Sequence, residues 1–241
     1  QRPLLEVKDI WMDDRLYNIS FRLHRGEILG LAGFRGAGRS LLLQSLFGLA
    51  PIQKGEIFLE GEQISLKSPA DAIRLGIAYL PEDRLQEGLF VEKPVAVNLV
   101  SCVVDRLTGP FGFLRPKKIS RFSLYWIKRV GIKTESPNLL VSSLSGGNQQ
   151  KVLVGKWLAT NAKVFLLNRP TVGIDVGAKE EIHYQILQLA ERGLAMIIVS
   201  DDLPELTSLC DRIAIFHRGK IVKELRETDE RLLAAELSRL G

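Results

Sequence analysis

The sequence predicts an α/β fold, and three observations carry that expectation. Short β-type stretches open the chain, a glycine-rich loop joins a strand-like stretch to a helix-like one, and alternating strand and helix patterns return after a long helical interval. With 241 residues, 46% of them apolar, the chain can bury a full core as one large α/β domain or two small ones, which argues against disorder.

Residues 4–10, 17–23 and 27–31 read as strands, each alternating or continuous in apolar residues and bounded by charged or glycine turns. The third runs into Gly33-Phe34-Arg35-Gly36-Ala37-Gly38-Arg39-Ser40, followed by the helix-like Leu41-Leu42-Leu43-Gln44-Ser45-Leu46-Phe47. A β pair is predicted over 55–64, then a helix capped by Ser68 with Pro69 at its first position. Strand 77–80 ends at Pro81-Glu82-Asp83-Arg84. From 94 to 158 the strand signal fades, and helical stretches are broken at Gly109-Pro110 and over 131–137. The α/β pattern resumes with strand 163–167, helix 178–191, strand 195–199 and a short helix after Asp202. Strands 212–217 and 220–225 flank Arg218-Gly219 as a hairpin, and Thr228 or Asp229 caps a last helix carrying Leu232, Leu233, Ala235 and Leu237. The chain therefore reads as an α/β core, 1–93 and 159–241, interrupted by a helical insertion, 94–158.

No apolar run reaches the ~18 residues of a membrane-spanning helix, and the start lacks a signal-peptide pattern, so a soluble cytoplasmic domain is expected. Gln1 at the start, with Met12 and Met196 the only methionines, suggests a domain cut from a longer polypeptide. Cys102 and Cys210 have no metal-ligand spacing and read as buried thiols. The net charge of +5 is spread along the chain and selects no partner by itself. Its densest cluster, Arg115, Lys117, Lys118, Arg121, Lys128 and Arg129 interleaved with Phe122, Tyr125 and Trp126, admits a nucleic-acid surface but favours a solvated amphipathic helix. His24, His183 and His217 fall outside every motif.

A phosphate-binding loop needs glycines because its backbone curls through positive φ and turns successive N–H groups toward phosphate oxygens. Gly33, Gly36 and Gly38 suit this, with Arg39 placed to reach terminal phosphates and the Ser40 hydroxyl to coordinate Mg²⁺. The usual residue before the hydroxyl is lysine; the longer, planar arginine implies altered geometry. A glycine turn that merely caps a helix is the plainer alternative. A second glycine pair, in Leu144-Ser145-Gly146-Gly147-Asn148-Gln149-Gln150, precedes a helical run over 151–158 and offers another anion-binding helix start, or only an N-cap.

Together these motifs resemble the ATP-binding cassette (ABC) family over nearly the whole chain. The resemblance implies a P-loop NTPase core with an N-terminal antiparallel β-subdomain and an inserted α-helical subdomain. Residues 33–40 are similar to the Walker A loop, and Glu82 stands at the Q-loop position, where it would approach the metal. Leu144, Ser145, Gly146, Gly147 and Asn148 are similar to the signature that closes over a partner's nucleotide. Residues 164–170 resemble Walker B, and Asp175 lies in a D-loop-like segment. Details such as Gly-Ala-Gly-Arg and Pro-Glu-Asp-Arg look most like the second cassette of fused two-cassette ATPases serving bacterial importers of simple sugars. ATP and Mg²⁺ are the implied cofactors. A companion cassette fused N-terminally and transmembrane permease subunits are the implied partners, nucleic acid is not, and the implied location is peripheral on the inner face of the membrane; a non-hydrolysing regulatory ATP-binding domain, or a non-transport cassette acting on nucleic acid, is the alternative.

The pattern breaks where that family holds metal and water. Asn168 replaces the Walker B aspartate and should hold Mg²⁺ less well, and Arg169 replaces the glutamate and cannot act as a base. Asp201 stands at the switch histidine, and Glu82 at the Q-loop glutamine, where either carboxylate would repel phosphate unless neutralised. Arg169 is therefore expected to pair with Asp201 or Glu82, or to reach the terminal phosphate; drift at an idle site is the other reading. The losses fall on this domain's own nucleotide, while the signature departs only at Asn148. Trp11 is the first candidate to stack on adenine, with Tyr17 second.

Overall fold

The structure is a computed structural model that describes residues 2–108 and 114–241; the break predicted at Gly109-Pro110 lies outside the described residues. Along the chain the elements are β1 (Leu5–Met12), β2 (Leu16–Leu23), β3 (Ile28–Gly33), α1 (Arg39–Leu46), β4 (Lys54–Leu59), β5 (Glu62–Ile64), α2 (Pro69–Leu75) and β6 (Ile77–Leu80). There follow α3 (Val95–Val100), α4 (Val104–Leu107), α5 (Pro116–Val130), α6 (Gly146–Leu158), β7 (Val164–Asn168) and α7 (Val176–Glu191). The chain ends with β8 (Ala195–Val199), α8 (Leu203–Leu209), β9 (Arg212–His217), β10 (Lys220–Leu225) and α9 (Glu230–Ser238). These elements fall into two units. One comprises Gln1–Tyr79, Lys163–Arg169 and Ile186–Gly241; the other comprises Leu80–Ala162 and Pro170–Gln185.

The first unit holds two sheets. The smaller is antiparallel, in the order β2-β1-β4-β5. In β1 the buried residues are Leu5 and Val7, then Ile10 and Met12. A register shift at Asp9, whose φ is +51°, moves the apolar set by one position, and the strand continues two residues beyond the predicted end at Ile10. The larger sheet has the order β10-β9-β3-β8-β7-β6, with β3 parallel to both β8 and β9, β7 parallel to β8, and β10 antiparallel on β9. All five residues of β7 and of β8 are buried, as continuous apolar strands in a covered parallel sheet should be. The carboxyl ends of β3, β7 and β8 bring Gly33, Asn168, Arg169, Ser200 and Asp201 to one edge, where open parallel sheets carry their ligands.

Local rules set the helix ends. Ser68 caps α2, accepting from Asp71 N, with Pro69 at the first position; Asp202 caps α8. Asp229, not Thr228, caps α9, accepting from Leu232 N at 2.8 Å. Arg218 and Gly219 both take positive φ, the paired left-handed turn that suits a two-residue hairpin.

The second unit is helical. Gly155 of α6 lets that helix approach closely, since a Cβ there would lie 3.0 Å from Leu99 of α3 and 3.2 Å from Val130 of α5. The basic and aromatic cluster forms α5, which buries Ser123, Trp126 and Val130 and ends at Gly131 in the left-handed region, so it is an amphipathic helix. Helix α6 starts at Gly146, five residues earlier than predicted, because helix propensity penalises the two glycines that tertiary packing requires there. No helix among the described residues is long and apolar enough to cross a membrane. Cys210 is buried and Cys102 half-buried, and burial pushes both thiols up.

Candidate functional site

In the first unit, β3 runs through the loop at residues 33–40 into α1. Gly33, Gly36 and Gly38 have φ of +148°, +81° and +105°. Two of them are fixed by close approach: a Cβ on Gly33 would sit 2.4 Å from Phe216 O, and one on Gly38 2.6 Å from Leu16 Cδ2. Around Gly36 nothing lies within 4 Å of such a Cβ, so its surface is open where it lines the adjoining cleft. The loop is pinned by Gly219 N, which donates to Ala37 O at 3.0 Å, while Tyr17 N donates to Gly219 O at 2.8 Å. A cleft of about 490 Å³ opens beside it, lined among others by Arg15, Tyr17, Ser40, Arg169 and Arg218. Backbone amides at positive φ, a helix start and several guanidinium groups make a surface for a phosphate chain.

The basic side chain after the glycines does not simply reach outward. Arg39 is 3% exposed; its Nη1 donates to Ser200 O at 2.9 Å and its Nη2 to Asp201 Oδ1 at 2.7 Å. Arg169 Nε donates to the other carboxylate oxygen, Oδ2, at 3.0 Å, and the exposed Arg35 lies 3.5 Å from that same oxygen. Burial alone would push the Asp201 carboxyl up, but hydrogen bonds from Arg39 and Arg169, reinforced by their charges, hold it below the ordinary aspartate range. Arg169 takes φ +49°, costing about 1–2 kcal/mol for a residue with a Cβ, and its N–H donates to Val199 O at 2.8 Å. Ser40 Oγ donates to Asn168 Oδ1 at 3.0 Å, and Asn168 Nδ2 lies 3.4 Å from Tyr79 Oη. The donor set fits phosphate and does not fit Mg²⁺: the hydroxyl faces a neutral amide instead of a carboxylate, and the next residue is a cation.

In the second unit, Ser145 is the N-cap of α6, but its hydroxyl makes no capping bond; instead it accepts from Asn148 Nδ2 at 2.9 Å. Asn148 Oδ1 accepts from Lys133 N at 2.8 Å, so this amide ties the helix start to the segment after α5. A Cβ on Gly147 would meet Ala178 Cβ at 2.4 Å, and one on Gly146 would lie 2.9 Å from Arg84 Nη2. Leu144 directly precedes this start, at the end of a short 3₁₀ turn over Val141–Ser143. Arg84 donates to Val172 O at 2.8 Å and Gly173 O at 3.0 Å, joining the Pro-Glu-Asp-Arg stretch to the loop before α7. Asp175 Oδ1 accepts from Ala178 N at 2.9 Å at the start of that helix.

The structure brings together Gly33, Gly36, Gly38, Arg39, Ser40, Asn168, Arg169 and Asp201, all in the first unit. Glu82 belongs to the second unit, and Phe34 and Arg35 of the loop face solvent. Tyr17, not Trp11, lines the cleft, while Trp11 meets the Tyr17 ring edge-on at 5.9 Å. Arg39 is folded inward, where its guanidinium shares the Asp201 carboxylate with Arg169 and also donates to Ser200 O. Sequence reasoning did not single out Arg15 or Arg218 for this cleft; only the pairing of the β9–β10 turn with the start of β2 places them there.

The family model described as ABC transporter matches residues 16–172. The chain is 41% identical over 228 residues to the ribose import ATP-binding protein RbsA of Bacillus licheniformis, covering 95% of this chain and 46% of that protein. It is 44% identical over 218 residues to a putative ribose/galactose/methyl galactoside import ATP-binding protein of Burkholderia cenocepacia, covering 90% of this chain and 42% of that protein. The chain thus spans about half the length of the curated relatives it matches. Its fold is similar to a crystal structure of a nucleotide-free ATP-binding cassette from an ABC transporter, with TM-score 0.83 and 20% identity over 99% of this chain and 97% of that one. A dimeric post-hydrolysis cassette, MJ0796 bound to ADP and Pi, aligns with TM-score 0.76 and 20% identity over 92% of this chain and 98% of that one.

Proposed function

Because the chain belongs to the ABC transporter family of ATP-binding domains, we propose that it is the nucleotide-binding domain of an importer for a simple sugar or similar small solute. In this reading it couples ATP binding and hydrolysis to transport, with 1–93 and 159–241 as the ATP-binding core and 94–158 as the helical subdomain. The loop at 33–40 holds the phosphates, and Tyr17, backed edge-on by Trp11, receives the adenine. ATP supplies the phosphoanhydride whose cleavage drives the cycle; the residues of this chain bind and orient it. They do not supply the base. The observation that carries this reading is the Arg169–Asp201 pair at 3.0 Å: a guanidinium cannot accept a proton from water, and an ion-paired aspartate is a poor substitute for it.

The signature acts elsewhere. Ser145, Gly146 and Gly147 at the start of α6 are proposed to close over the nucleotide of a companion cassette, fused ahead of this one in the parent chain, so that this domain completes an active site without supplying its base. The share of the relatives left unmatched by this chain, more than half of each, supports such a companion. Transmembrane permease subunits are the further proposed partners, and the domain would sit in the cytoplasm against the inner face of the membrane. In the assembled transporter, Ser145→Ala should lower solute uptake about a hundredfold and Arg39→Met less than about fivefold. Equal losses, in variants shown by thermal unfolding to be folded, would contradict the asymmetry.

A further inference from the structure

We infer that the glycine-loop cleft takes its nucleotide as the metal-free polyanion, with arginine side chains standing where Mg²⁺ would otherwise neutralise the phosphates. The inference rests on the nucleotide-binding reading above and adds which species of nucleotide is bound. The donor set is the first reason. Mg²⁺ dehydrates reluctantly and demands near-octahedral oxygen ligands, preferably anionic. Here Ser40 Oγ donates to Asn168 Oδ1 at 3.0 Å, and Asn168 is buried and neutral. The following residue, Arg169, places a fixed cation beside that position, and a dication there would be repelled.

Charge is the second reason. Arg15, Arg39, Arg169 and Arg218 line the cleft against a single lining carboxylate, Asp14. Even counting Asp201, which lies between Arg39 and Arg169 and also meets Arg35, the cluster keeps an excess of positive charge of the kind a bound Mg²⁺ would otherwise supply. The third reason is that the arrangement is built. Arg39 is 3% and Arg169 9% exposed, each is gripped by a different oxygen of Asp201, and the left-handed backbone of Arg169 is held by Val199 O. A side chain that had drifted at an idle surface position would not be buried, ion-paired and strained at once. Guanidinium groups fixed in this way are suited to phosphate oxygens.

The test is equilibrium binding of mant-ATP to the chain, followed by fluorescence anisotropy in excess EDTA and in saturating Mg²⁺. Wild type should bind in EDTA within about threefold of its affinity in Mg²⁺. Arg169→Asn, chosen because asparagine tolerates left-handed φ, should lose about tenfold in EDTA. Asn168→Asp, nearly isosteric, should acquire about a tenfold preference for Mg²⁺. A wild-type loss of about tenfold or more in EDTA overturns the inference and leaves nucleotide binding intact. Absence of binding in both conditions overturns the nucleotide reading and the inference with it. The wild-type comparison stands even if a variant fails to fold.

Discussion

The two glycine-bearing helix starts, at residues 33–40 in the first unit and 145–148 in the second, have different fates. Both depend on glycine, for different reasons: positive φ and open space at Gly36, and at the head of α6 a Gly147 where a Cβ would clash with Ala178. They differ in side chains. At the first, the groups around the loop form a closed cationic cluster, with Arg39 and Arg169 sharing Asp201 and Ser40 bonded to a neutral amide. At the second, Asn148 bonds to the Ser145 hydroxyl and accepts from Lys133 N, both bonds between uncharged groups. Glycine is therefore required at both starts, by positive φ at the first and by packing against Ala178 at the second, while the side chains around them differ.

The comparison breaks if the second start tolerates bulk. Gly147→Ala should destabilise the protein by about 2 kcal/mol, the strain of overpacking against Ala178 less the ~1 kcal/mol gained in helix propensity, as read by urea unfolding. An unchanged midpoint would mean that the glycine is not held by packing.

The comparison sharpens at Asp201. Asp201→Asn leaves two buried guanidiniums without their shared counter-charge; because the carboxylate is 38% exposed, the cost is discounted for screening to about 1.5 kcal/mol near neutral pH. The folded carboxyl titrates below its ordinary value, so wild type keeps this stabilisation above the ordinary aspartate range and loses it as pH falls through the depressed folded value. The gap between wild type and variant should narrow on acidification, measured by denaturant melts across that range. A gap independent of pH would remove the ion pair from the account.

Much of this was legible where the rule is local. Strands at Ile77–Leu80 and Ala195–Val199, the Ser68 cap with Pro69, the Arg218–Gly219 hairpin and the glycine loop all follow from neighbouring residues alone. The pairing of Arg169 with Asp201 is one of the three partners expected from sequence, because a carboxylate facing phosphate needs a neighbouring cation to offset it. What escaped depends on distant chain. Arg39 turns inward because Asp201 follows β8, and Tyr17 comes to line the cleft because the β9–β10 turn, through Gly219, is bonded to the start of β2. Arg84 reaches Val172 and Gly173 across 88 residues or more, a link no periodicity carries.

The central claim is that this domain completes a partner's site and does not hydrolyse at its own. Steady-state ATP hydrolysis by this chain alone, and then with the companion cassette, tests it most directly. The account predicts nucleotide binding without turnover by the chain alone, turnover on pairing, and loss of that turnover with Ser145→Ala. Turnover by the chain alone that survives Ser145→Ala and is lost with Arg169→Asn would contradict it.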